Sequence, residues 1–176
     1  MHQLSSCIND LAKSYASLRL QLSPAKTEFI WFGSHVNLTR ISQCFRSIQV
    51  SESVIECDVV VRDLAVYLDR ELTMKHHVNK ITSACFYHTL RLRQIRHYVS
   101  TGVLTQLVTS FVLSRLDYCN SILAGLPAST LMPLKRAQNA AARLVLGLGR
   151  RSSIITALRD LHWLPVKHRI TFKVAL

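Results

Sequence analysis

The feature that most constrains this chain is a change of hydrophobic period at Thr73. Beyond it, Val78, Ile81, Cys85, His88, Leu92, Ile95 and Val99 recur at steps of 3, 4, 3, 4, 3 and 4. That spacing writes one apolar seam along a long amphipathic helix. The steps also match a heptad, but with helices following directly, packing within one bundle is the better reading than a coiled coil. Lys80 and Arg91 fall to one side of the seam, and Lys75 and Arg93 on the far side. His88 sits inside the stripe and reads as a core histidine rather than a ligand. A second helix is predicted over 103–123, with Leu104, Leu107, Val108, Phe111, Val112, Leu116, Cys119 and Ile122 as its stripe. Gly125 and Pro127 then stop one helix and start the next, which runs over 131–146 and carries Lys135, Arg136 and Arg143. Shorter helices are predicted at 154–161 and 166–176. The last ends on Val174-Ala175-Leu176 with no capping signal, as expected of a chain cut within a helix.

Before Thr73 the pattern is different. Residues 3–19 read as a helix with Leu4, Ile8, Leu11, Tyr15 and Leu18 on one face, and Ser23-Pro24 breaks it. Phe29 to Phe32 reads as a short buried strand, and residues 34–45 as a polar loop. Strands follow at 47–50, 54–57 and 59–68. In the last, Leu64, Val66 and Leu68 alternate with Asp63, Ala65, Tyr67 and Asp69, the mark of a strand with one covered face. Strands followed by helices imply an α+β fold, divided here into residues 1–70 and 71–176.

Charge follows the same division. Residues 1–69 hold 6 Lys/Arg against 7 Asp/Glu, a net of −1, and residues 70–176 hold 16 against 3, a net of +13. A one-sided excess of this kind points to a polyanion-binding half, with solubility as the bland alternative. Five cysteines lie 12 or more residues apart with no CxxC pair, so neither a disulfide framework nor a zinc site is expected. The start of the chain lacks the basic and apolar segments of a signal peptide, and no stretch is apolar enough to cross a bilayer. The expectation is an intracellular chain, nuclear or cytoplasmic, that is not secreted. Its oligomeric state is open.

Five ordered strings resemble one family. Leu22 to Phe29, containing Lys26-Thr27-Glu28, is similar to the segment that follows the catalytic Asp-Asp strand of non-LTR retrotransposon reverse transcriptases. Val61 to Asp69 resembles the primer-grip hairpin, with Asp63, Leu64, Ala65 and Val66 at its centre. Phe111 to Ser121, containing Arg115-Leu116-Asp117-Tyr118-Cys119-Asn120, resembles a signature of jockey-like LINE elements that continues through Ala124 to Pro127. Arg136 to Val145 and Leu161 to Val166 are similar to strings that follow it. The resemblance covers nearly the whole chain. It implies a right-handed polymerase fold, of which this chain would be the C-terminal end of the palm, with a small antiparallel sheet, and a helical thumb-like bundle.

The same resemblance sets limits on chemistry. Nucleotidyl transfer by the intact family uses two Mg2+ ions held by palm carboxylates. The strands that carry them precede the Lys26 segment, and no two acids are adjacent in this sequence. No metal site, cofactor or catalytic residue is therefore expected here, and no enzyme activity of this chain in isolation. Asp58, Asp63 and Asp69 read as the solvated side of a hairpin. Lys26 would stand near the pyrophosphate of an incoming nucleotide only in an intact enzyme. Ala65 departs from the family's glycine, and a Cβ there costs about 1 kcal/mol or more if the position needs a positive φ.

What is expected to persist is weak, sequence-independent binding of RNA, DNA or an RNA–DNA duplex through Lys75, Lys80, Arg91, Arg93, Arg96, Lys135, Arg136 and Arg143. If six of these touch phosphates, affinity should fall roughly a thousandfold between 50 and 200 mM salt. Tyr87, Tyr98 and Tyr118 offer stacking surfaces, with core packing the simpler expectation. The alternative is a non-catalytic basic helical protein that docks on an acidic partner or a membrane surface. Residues 1–69, with uncovered strand edges, are expected to be the less soluble part.

Overall fold

A computed structural model describes residues 2–50, 53–149 and 151–176, with the side chains of His2 and Cys44 excepted. The chain is mixed α and β, and it divides into two compact units, Met1–Thr73 and Met74–Leu176.

In the first unit, helix α1 (His2–Ser17) ends where Arg19 turns with φ 57°. Its apolar face is only partly covered, for Leu4, Leu11 and Leu18 are exposed. The strand expected at 29–32 is not formed. Phe29 makes a single parallel bridge to Cys57, closed by Asp58 N–H donating to the Phe29 carbonyl at 2.7 Å. One bridge suffices because Trp31 turns aside, stacking edge-on with Phe29 and donating Nε1–H to the Phe45 carbonyl at 2.7 Å. The segment expected as a loop contains α2 (His35–Thr39), whose first turn is capped by Ser34 Oγ accepting from Asn37 N–H.

Two separate two-stranded antiparallel sheets follow. In one, β1 (Ser47–Val50) pairs with β2 (Ser53–Glu56); in the other, β3 (Val60–Asp63) pairs with β4 (Val66–Asp69). The strand read over 59–68 is thus a hairpin. Its two-residue loop, Leu64-Ala65, has φ of 43° and 66°. Positive φ at both positions is the mirror-image turn whose twist matches paired strands. The turn also breaks the expected alternation: Val66 is buried, but Leu64 stands 79% exposed.

The second unit is helical. Helix α3 (Lys75–Ile95) passes into a 3-10 turn at Arg96–Tyr98. The seam is buried at Val78, Cys85 and Leu92, but Ile95 is exposed. A straight helix drifts about 20° per heptad against a 3.5-residue repeat, so the stripe rotates out of the core before its end. Helix α4 (Thr101–Val108) widens into a π turn at Thr109–Leu113 and resumes as α5 (Ser114–Asp117). The single helix expected over 103–123 is therefore broken twice. The π turn shifts the phase, so Leu113 is buried while Phe111 is exposed, and Cys119 at φ 49° ends the helix before a 3-10 turn at Asn120–Leu123.

Helix α6 (Ala128–Leu146) begins earlier than expected because Pro127 presets its first turn, and it stops at Gly147 with φ 69°. Helices α7 (Ile154–Asp160) and α8 (Val166–Ala175) complete the unit. Its core is continuous, from Val78 and Cys85 through Leu104, Val108, Val112 and Leu134 to Trp163 and Ile170. Ala137 and Ala141 are fully buried, and such small side chains let α3 and α6 approach closely over most of their length. Among the described residues no helix is long and apolar enough to cross a membrane.

Candidate polyanion-binding cleft

The sequence strings singled out above divide into those that hold the fold together and those that face outwards. Glu28 accepts a hydrogen bond from the Arg62 backbone at 2.9 Å, so it ties the Lys26 segment to the edge of β3. Lys26 itself ends an exposed 3-10 turn, Pro24–Lys26. Asp63, Leu64, Ala65 and Val66 form the β3–β4 turn, where Asp63 is exposed.

The two acids at the ends of the β3–β4 hairpin do not face one point. Asp63 pairs with Val66 at one end of the ladder, and Asp69 pairs with Val60 at the other. Asp69 also ties down the turn that follows it, accepting from Thr73 N–H at 2.8 Å and from its hydroxyl at 2.9 Å. Among the described residues no three His, Cys, Asp or Glu side chains come together.

In the helical unit Asp117 and Asn120 hold neighbouring elements together. The Asp117 carboxylate pairs with the Arg169 guanidinium and accepts from Asn120 Nδ2, which links α5, the following turn and α8. Gln138 is fully buried and uses both ends of its amide. Its Nε2 donates to the Leu164 carbonyl at 2.7 Å, and its Oε1 accepts from Val166 N–H at 3.1 Å. The second bond satisfies a backbone donor in the first turn of α8 that has no partner within its own helix.

The outward-facing groups are basic. Of the eight side chains expected to bind nucleic acid, four converge. Arg93 and Arg96 at the end of α3, with Arg136 and Arg143 on α6, line an open cleft of about 600 Å³ together with His97, Asn139 and Gly147. Lys75, Lys80, Arg91 and Lys135 lie outside it. Lys75 and Arg93 are separated by about 27 Å along α3 at 1.5 Å per residue, and Lys135 is turned about 100° around α6 from Arg136. Arg91 instead lies over the Tyr87 ring, 5.7 Å from its centroid. Arg136, Asn139, Ala140, Arg143, Leu144 and Gly147 share one strip of α6 because they recur at helical spacing. That spacing was legible in the sequence as a second, polar stripe; the partnership with Arg93 and Arg96 was not.

Glycine is favoured at the end of α6 by its backbone conformation. Gly147 takes φ 69°, and a Cβ built there would lie 1.9 Å from Arg96 Nη2. Its absence lets the Arg96 guanidinium lie across the C-terminus of α6, where the helix carries partial negative charge.

The cleft's charge is uncompensated. None of its lining residues is acidic, and its arginines make no ion pair or hydrogen bond with any described side chain. Arg143 Nε and Asn139 Oδ1 are buried and have no hydrogen-bond partner among the described residues. Two helix C-termini meet here, each worth roughly half a negative charge, against four guanidinium groups. The net field attracts anions.

The aromatic and histidine expectations need correction. Tyr87, Tyr98 and Tyr118 are 57%, 87% and 50% exposed rather than packed in the core. His88 is half-buried between rings, stacked on Phe111 and edge-on to Tyr87, both at 5.3 Å. Burial lowers its pKa from the ordinary 6.5, and the Arg115 charge lowers it further. His77 is the histidine fully in the core, and burial lowers its pKa too.

No family model, curated protein or solved structure matches this chain.

Proposed function

We propose that this chain is a palm-end and thumb portion of a LINE-type reverse transcriptase, and that its helical unit grips a nucleic-acid backbone without performing chemistry on it. The observation that carries this reading is the cleft of Arg93, Arg96, Arg136 and Arg143, which has no acidic lining residue. Phosphodiester oxygens are an abundant biological match to a cluster of guanidinium forks, and such contacts position a duplex without reading its bases. The ordered strings from Lys26 to Val166 support the polymerase ancestry. Tyr87 and Tyr98, exposed on the same unit, offer rings on which bases can stack.

The test is titration of the full chain against an RNA–DNA duplex, with heparin and anionic vesicles as competitors. Four phosphate contacts predict a loss of roughly a hundredfold in affinity between 50 and 200 mM salt. Duplex binding that survives the R93A/R136A double variant, or that is no tighter than binding to the vesicles, rejects the reading in favour of a basic face for an acidic partner or membrane. Magnesium-dependent nucleotide incorporation by the purified chain would reject its non-catalytic part.

A further inference from the structure

A grip on a duplex leaves part of the cleft unexplained. A duplex is convex and presents singly charged phosphates spread along its axis. The cleft is concave, about 600 Å³, and large enough to take in a nucleotide-sized ligand. Its four cations converge from two helices on one volume instead of following a line.

Helix capping accounts for only some of them. Arg93 lies in the last turn of α3, Arg96 in the turn that follows, and Arg143 in the last turn of α6, where cations offset the helix dipole. Arg136 stands well over two turns before the end of α6 and has no such role. It is also exposed and makes no contact with any described carboxylate. Asn139 Oδ1 and Arg143 Nε, one turn apart on the same strip, are buried in the cleft wall with no described partner. Of these two, Arg143 Nε is a donor and Asn139 Oδ1 an acceptor, so only the arginine atom has the bonding sense an anion would meet.

We propose that this cleft is a discrete site for a small ligand bearing clustered phosphates, such as a nucleoside triphosphate or an inositol polyphosphate. Each phosphate monoester of an inositol polyphosphate, like the terminal phosphate of a triphosphate, brings close to two negative charges and three acceptor oxygens, and each inner phosphate of a triphosphate adds about one charge. Two or three such groups match four guanidinium forks in both charge and bonding capacity. Arg136 and Arg143 close on the ligand from α6, Arg93 and His97 from the end of α3, and the Asn139 amide adds a neutral bond. The inference stands apart from the polymerase reading, since it needs neither a duplex nor any shared ancestry.

The experiment is calorimetric titration of the full chain with inorganic tripolyphosphate, ATP, inositol hexakisphosphate and orthophosphate. One tripolyphosphate per chain is expected, bound at least tenfold more tightly than orthophosphate. The R136A variant should lose roughly tenfold or more in affinity, as for one charge-assisted contact. R136K should recover only part of it, because an ammonium cannot bridge two oxygens. K135A, which removes the same charge one residue away but outside the cleft, should bind as the parent does. Both sites are exposed, so thermal melts should show all variants folded. Preference for ATP over tripolyphosphate identifies a nucleotide site, and preference for inositol hexakisphosphate an inositol phosphate site; either supports the proposal. Equal losses in R136A and K135A, or several ligands per chain, overturn it by reducing the effect to net charge. Duplex binding is measured separately on the same variants, so either reading can fail alone.

Discussion

Replacing Gln138 by methionine is the most direct probe of how the helical unit is held together. The side chain is fully buried, and methionine has nearly its volume, so the change removes hydrogen bonds with little cavity. Two bonds are lost, but unequally. The Leu164 carbonyl keeps a donor, because Arg169 Nε reaches it at 2.8 Å. Val166 N–H, bonded to Gln138 Oε1 at 3.1 Å and buried, loses its acceptor. A buried donor left unmet costs about 1–3 kcal/mol, and the weakened carbonyl site adds a fraction more, giving about 2–3 kcal/mol in all. For a unit of about a hundred residues that is a fall of about 10 °C or more in Tm. Trp163 is buried three residues before Val166 and reports on the break directly. The assay is urea unfolding followed by Trp163 fluorescence in a Trp31→Phe background, with amide exchange read over α8. A loss below about 0.5 kcal/mol, with α8 as protected as before, would show that Gln138 does not anchor this helix.

Three further outcomes follow from particular residues. Ala65→Gly should stabilise the β3–β4 hairpin by about 0.5–1 kcal/mol, since Ala65 holds φ 66° where glycine meets no Cβ penalty; slower amide exchange over Val61 and Leu68 is the readout, and faster exchange contradicts it. The fold disfavours protonated His77 and His88, because burial lowers both pKa values. The unfolded chain therefore binds more protons than the folded one near the ordinary value of 6.5, and stability should be flat at higher pH and fall as pH drops through that value. His77→Gln should flatten the dependence of the urea midpoint; an unchanged slope removes His77 as its source. Burial pushes the Cys85 thiol up to about 11, so it should resist alkylation in the folded chain while exposed Cys7 reacts; labelling of Cys85 at the rate of Cys7, by peptide mapping, contradicts this.

Helices were the readable part of this chain because their signals are local. The stripe on α6, the Gly147 stop and the Pro165 start before α8 each lie within a few residues of what they control. Strands depend on partners that sequence does not name. Phe29 to Phe32 has the composition of a strand, yet it keeps one bridge, because Cys57 meets it at a single point and Trp31 is drawn towards Phe45. The hairpin turn at Leu64-Ala65 carries neither Asn nor Gly, so turn chemistry gave no warning of it.

From the amino-acid order alone come the helical character of the chain after Thr73, the charge asymmetry, and the identity of the eight basic side chains. Packing decided which of those eight act together. Arg93 and Arg96 are about 40 residues from Arg136 in sequence, and they share a cleft because the buried alanines of α6 let α3 pack closely along it. Packing likewise assigned Asp117, Gln138 and Arg169 to the interior framework. Periodicity reports which face of an element is apolar, but only the contact between two elements fixes which of their polar edges lie side by side.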